Sequence, residues 1–150
     1  MNDERAVSTT VGYVLNVSVA MLLITGLLVT GSSFVEDQRE RAVRTELQVL
    51  GQQIASEAAA ADRLVRESST EELEVHQKLP ETITGASYMI EIDSAATNEY
   101  EITLQTRNPD VVVSVTLRSE TSIDTEGGDP VSGGDLVIKY IGTGLEVRDE

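Results

Sequence analysis

Thirty consecutive residues, Ala6 to Val35, carry no charged side chain, and the apolar density peaks at Met21-Leu22-Leu23-Ile24. A run of that length predicts a helix. At ~1.5 Å per residue it would extend ~45 Å, enough to cross a bilayer with its interfaces. The apolar part of a cleavable secretory signal is shorter, ~7–15 residues, and ends in a small-residue cleavage site. This run passes instead into Glu36-Asp37-Gln38-Arg39 and further helix-forming sequence. A retained helix over residues 7–35 is the expectation.

Beyond Val35 the pattern changes. Val43, Leu47, Leu50, Ile54, Ala58, Ala61 and Val65 recur at three-four spacing, which predicts an amphipathic helix over residues 36–68 with one apolar stripe. Glu40 and Arg44 add an acid-before-base pair at i,i+4. Gly51 is a weak point in that helix. Gly31-Ser32-Ser33 is the expected place for a bend between the two halves, and Ser68-Ser69 followed by Pro80 marks the end. The stripe fits a coiled coil of about three heptads or packing against a sheet of the same chain.

Such a sheet is predicted by alternation at period two. Tyr88, Ile90 and Ile92 alternate with polar or differently facing neighbours. So do Tyr100, Ile102 and Leu104, then Val111, Val113, Val115 and Leu117, then Leu136, Ile138 and Tyr140, and finally Leu145 and Val147. The breaks at Asp93–Asn98, Arg107–Asp110 and Gly142–Gly144 are turn-rich, which predicts antiparallel hairpins. Ser119 to Asp135, with four Gly and one Pro from Gly127 onward, reads as the longest irregular stretch. Five short strands need a cover, and the amphipathic helix supplies it. The expected class is α+β: a long N-terminal helix packed through its second half on a small antiparallel sheet domain, residues 69–150.

Within the apolar run, Ser8, Gly12, Asn16 and Ala20 recur every four residues as a small, polar ridge, and Ser18, Gly26 and Thr30 form a second partial one. Small residues let helices approach closely, and Asn16 can hydrogen-bond across a helix–helix contact. A lone Asn facing lipid is costly. The ridge points to packing against other helices.

Charge sharpens this division. The chain of 150 residues has a formal net charge of −15 and no cysteine. Residues 1–68 hold 9 acidic and 6 basic side chains, a net of −3, whereas residues 69–150 hold 17 and 5, a net of −12. This balance argues against nucleic acid as a partner, since an acidic protein repels phosphates. Disulfides, a cysteine zinc site and a cysteine nucleophile are excluded outright. Nine of the eleven basic residues are Arg, and the acidic excess suits a surface kept soluble in concentrated salt, where the Debye length shrinks to ~3 Å. Counting positive charge at the ends of the span places its C-terminal side in the cytoplasm. The long acidic β-rich region argues for the outside.

Candidate chemistry is sparse. His76, the single histidine, lies in a polar stretch without a metal-ligating companion, and no strained serine elbow accompanies it. Asp124, Glu126, Asp129 and Asp135 cluster in the Gly-rich stretch but lack the alternation of a calcium loop. Gly142-Thr143-Gly144 lacks the third glycine of a dinucleotide fingerprint and reads as a hairpin turn. Asn16-Val17-Ser18 matches a glycosylation acceptor but falls inside the apolar run. No catalytic residue, metal or cofactor is expected.

The N-terminal residues carry a resemblance. Asp3-Glu4-Arg5-Ala6-Val7-Ser8-Thr9-Thr10-Val11-Gly12-Tyr13-Val14-Leu15 resembles the start of archaeal, particularly haloarchaeal, type IV pilin-like proteins with a class III signal. The resemblance implies a leader, residues 1–6, cut by a membrane prepilin peptidase between Ala6 and Val7, with Arg5 before the cut. It implies that the apolar helix anchors the subunit in membrane lipid and later packs against other pilin-like subunits, with the acidic domain outside the cell. Val11 stands at the fifth mature position, where bacterial pilins usually carry Glu. The expected function is that of a minor pilin-like subunit of a surface filament or envelope complex, acting by assembly and not by catalysis. The alternative is a single-pass membrane protein whose outer domain binds a neighbour without polymerising.

Overall fold

The computed structural model describes residues 3–68 and 72–150, with side chains from residue 11 onward apart from Ser68. The chain divides into two compact units, Met1–Gln38 and Arg39–Glu150. One helix, α1, runs from Asp3 to Ser68 and contributes to both. It continues through Gly31-Ser32-Ser33 without interruption, where a bend was expected. The hydroxyls of Ser32 and Ser33 donate back to Val29 O, at 2.9 and 3.4 Å, so they are satisfied inside the helix and do not open it. The helix is described up to Ser68, and Ser69 of the expected end lies outside the described residues.

The C-terminal unit explains the stripe. Val43, Leu47, Leu50, Ile54, Ala58, Ala61 and Val65 are all buried and join a single hydrophobic core with the strands. The stripe therefore serves sheet packing within the chain. Residues between its members, such as Val49, face solvent. Glu40 and Arg44 form the expected surface pair at 3.5 Å.

Among the described residues nine strands form two sheets: β1 (Glu74–Gln77), β2 (Thr82–Ile83), β3 (Ala86–Ala96), β4 (Glu99–Arg107), β5 (Asp110–Arg118), β6 (Ser122–Thr125), β7 (Val131–Ser132), β8 (Leu136–Tyr140) and β9 (Gly144–Asp149). One sheet has the order β2-β3-β4-β5, with β7 also on β3; the other has the order β1-β8-β9-β6. All pairings are antiparallel except β6 with β9. The class is α+β, as expected.

The differences have physical causes. The stretch Ser119–Asp135 is not irregular: it carries β6, a short 3-10 turn at Glu126–Gly128, and β7. Each of these strands buries one large apolar side chain, Ile123 or Val131, too few to register as alternation. The parallel β6–β9 pair arises because β7 and β8 intervene between the two strands, so no tight hairpin joins them. Strand β3 extends to Ala96 through an irregularity between Ser94 and Ala96, and the turn is confined to Thr97-Asn98, where Asn98 adopts φ 60°. In β8, Val137 is buried as well as Leu136 and Ile138, so this strand is covered on both faces.

Three glycines permit close approaches. Gly51 on α1 sits against Val115 and Leu104, Gly133 lies against the ring of Tyr88, and Gly144 faces Ser122. Gly51 is therefore a contact point between helix and sheet as well as a weak helix former.

Candidate functional site

The apolar part of α1 is the candidate site. It contains one run long and apolar enough to cross a membrane, and no part of that run is buried. Val11, Leu15, Leu22, Leu23, Leu27 and Leu28 are all more than half exposed. Hydrophobic surface on this scale marks a surface that meets lipid or protein.

Its serine and threonine hydroxyls from Ser18 onward are internally satisfied. Ser18 donates to Val14 O at 2.8 Å, Thr25 to Met21 O at 2.8 Å and Thr30 to Gly26 O at 2.9 Å. Back-bonding of this kind removes the desolvation cost that free hydroxyls would incur in an apolar medium. Asn16 differs, because its side-chain amide has no such bond among the described residues and is exposed. Gly12 and Ala20 lie one turn to either side of it, also exposed. A Cβ added at Gly12, Gly26 or Gly31 would meet nothing, so no contact within the chain requires glycine there. Ser8, and the processing residues Arg5, Ala6 and Val7, have helical backbone; their side chains lie outside the described residues.

The remaining candidates are scattered. His76 is exposed on β1, 3.6 Å from Glu74 and 3.8 Å from Glu150. Asp124 lies on β6, where its Oδ1 accepts from the Thr125 amide at 2.8 Å. Glu126 opens the 3-10 turn, Asp129 follows it, and Asp135 precedes β8. Among the described residues no three acidic or histidine side chains are grouped as metal ligands. Gly142–Gly144 is the β8–β9 turn: Ile141 donates to Gly144 O at 2.9 Å, and Gly142 has φ +85°.

Two polar features had no signal in the pattern. An open groove of about 1270 Å³ is lined by Arg39, Arg107, Gln105, Asp135 and Glu150 among others, with Tyr88 at its wall. Burial pushes the Tyr88 phenol up from its ordinary value, and its hydroxyl donates to Pro80 O at 2.8 Å. The second feature is Asp62, buried on α1. Its Oδ1 accepts from the Thr121 amide at 3.0 Å and its Oδ2 from Arg66 Nε at 3.1 Å; Arg66 also reaches Glu120 at 3.2 Å. Burial alone would raise the Asp62 pKa, but the hydrogen bonds from Thr121, and then the bond and charge of Arg66, outweigh it and hold the carboxyl below its ordinary range. The i,i+4 spacing of Asp62 and Arg66 was visible in the sequence; the burial and the Thr121 contact were not. This network clamps the C-terminal part of α1 to the segment before β6.

No curated protein and no solved structure matches the chain. A family model does match, over residues 2–149 and thus over both compact units: the chain belongs to a family of unknown function, DUF7266.

Proposed function

We propose that this protein is a pilin-like subunit of an archaeal surface filament or envelope complex, anchored by α1 and acting through helix assembly. The observation that carries the reading is the division of labour along α1. Residues 43–65 bury their apolar stripe in the C-terminal unit, while none of the uncharged residues 11–35 is buried. The fold uses only the second half of the helix, so the first half is available to lipid or to equivalent helices. Gly12, Asn16 and Ala20 support helix packing, since glycine and an unbonded amide have no role inside the chain. The acidic domain, net −12, faces the outside in this reading and suits concentrated salt.

A second reading, a single-pass envelope protein that does not polymerise, is favoured by Val11 at the position where bacterial pilins carry Glu. Mass spectrometry of the mature chain tests processing. A first residue of Val7, lost when Arg5 is replaced, is expected; an intact Met1 or Asn2 in cells with active prepilin peptidase refutes it. Asn16→Leu separates the two readings. Filament or complex yield falls if the helix assembles through this face and is unchanged if it only anchors.

A further inference from the structure

Strand β5 forms a long open edge. Its nine residues pair with β4 on one side and, among the described residues, with no strand on the other. The outer strands of the other sheet, β1 and β6, have four residues each. Between Asp110 and Arg118 the strand reads Val-Val-Val-Ser-Val-Thr-Leu, without charge, Pro or Gly. A free row of N–H and C=O groups templates another strand, and edges are ordinarily guarded by Lys, Pro, a bulge or short length. β5 has none of these, and its register with β4 is unbroken. Val112 is 47% exposed, and Ser114 and Thr116 are exposed beside it.

We propose that β5 pairs antiparallel with β5 of a second copy of this chain, about a two-fold axis at Ser114. The charge pattern selects both occupant and direction. In that register Asp110 lies opposite Arg118 of the second copy at each end, Val111 opposite Leu117, Val112 opposite Thr116 and Val113 opposite Val115. Strand β4 extends the rows, because Glu99 stands across from Arg118 and Arg107 across from Asp110 within each chain. Each end of the joined sheet then reads Glu99, Arg118, Asp110, Arg107, with the sign alternating at every strand. Opposite charges facing across strands stabilise and like charges repel. Parallel in-register pairing would set Asp110 on Asp110 and Arg118 on Arg118. Arg44, whose guanidinium donates to Val112 O at 3.5 Å and pairs with Glu40 at 3.5 Å, is exposed, and the pairing requires it to leave that carbonyl. A two-fold contact closes on itself, so it joins copies in pairs. Residues 39–68 of α1 run alongside β5 in the same direction, from Arg44 at Val112 through Gly51 at Val115 to Asp62 at Thr121, so the two-fold axis sets these helices of the two copies antiparallel.

The chain has no cysteine, so single introduced thiols report without background. The full chain is oxidised mildly in detergent micelles at ~1 M salt, where repulsion between acidic domains is screened within ~3 Å. Facing Cα atoms in an antiparallel pair are ~4.5–5.5 Å apart, within disulfide reach. Ser114→Cys is expected to give a dimer as the main product. Thr116→Cys faces its own twin four positions out of step, ~13 Å away, and Val112→Cys likewise; each alone should give about fivefold less dimer. Co-expressing Val112→Cys with Thr116→Cys should restore the yield as heterodimer. Equal yields at the three single positions, or no Ser114→Cys dimer even with a short bis-maleimide, overturn the proposal.

Discussion

Gly51→Ala sets two effects of known size against each other. Glycine inside a helix costs roughly 1 kcal/mol relative to alanine, so helix propensity alone predicts stabilisation. Packing predicts the reverse. A Cβ at Gly51 would lie 2.8 Å from Val115 Cγ2 and 3.0 Å from Leu104 Cδ1. Both are well inside the ~3.5–4.0 Å optimum between carbons. The Leu104 methyl is the end of a flexible side chain and can yield. Val115 is β-branched and stiff at χ1, so relief there needs movement of β5 itself. Overpacking of this kind typically costs 1–3 kcal/mol, which exceeds the propensity gain. We expect Gly51→Ala to destabilise the C-terminal unit by about 1 kcal/mol net, roughly a fivefold change in the folded ratio. Val115→Ala removes the obstructing methyl. Alone it loses partly buried apolar surface, about 1 kcal/mol, but together with Gly51→Ala it should cost almost nothing, a coupling of about 1–2 kcal/mol. Urea titration of the full chain in detergent micelles, read by pulse proteolysis of the C-terminal unit, measures all four corners of the cycle. Stabilisation by Gly51→Ala, or additivity of the two changes, would refute close contact between α1 and the sheet at this point.

Asp62→Asn keeps the shape of the side chain but removes the charge held by Thr121 and Arg66, and should cost about 2 kcal/mol at neutral pH because bonds to a charged acceptor are lost. The folded-state pKa of Asp62 lies below its ordinary 3.8, so its contribution is fully present above that value and disappears as pH falls through the folded value. The difference between parent and variant should be flat above about pH 5 and shrink below about pH 4; a difference unchanged at low pH contradicts the assignment. Gly133→Ala drives a methyl into the Tyr88 ring and should destabilise by about 2 kcal/mol or more, measured by the same titration, whereas Tyr88→Phe should cost only about 1 kcal/mol for the bond to Pro80 O. Equal effects from the two would mean that the ring does not fill the space beside Gly133.

Periodicity and charge along the chain determined most of the architecture. The uncharged run and the stripe from Val43 to Val65 are each set by the spacing of side chains on one helix, which is local geometry, and both halves of α1 could be read without a partner. The five strands predicted by alternation were legible too, because a period of two over four or more residues marks a strand, even though β8 turned out to be covered on both faces. Tertiary structure decided what local pattern cannot express. Strands β1, β6 and β7 each place one or two apolar side chains inward, and their identity comes from the neighbour that supplies their hydrogen bonds. The parallel β6–β9 pair, the burial of Asp62 against Thr121 and the contact at Gly51 join residues that are far apart in sequence. The open edge of β5 belongs to the same class, since the residues that form it are legible as a strand but its lack of a second neighbour is a property of the assembled sheet. For the candidate site the division runs the other way: residues 11–35 are apolar by sequence, and the structure added that none of them is buried.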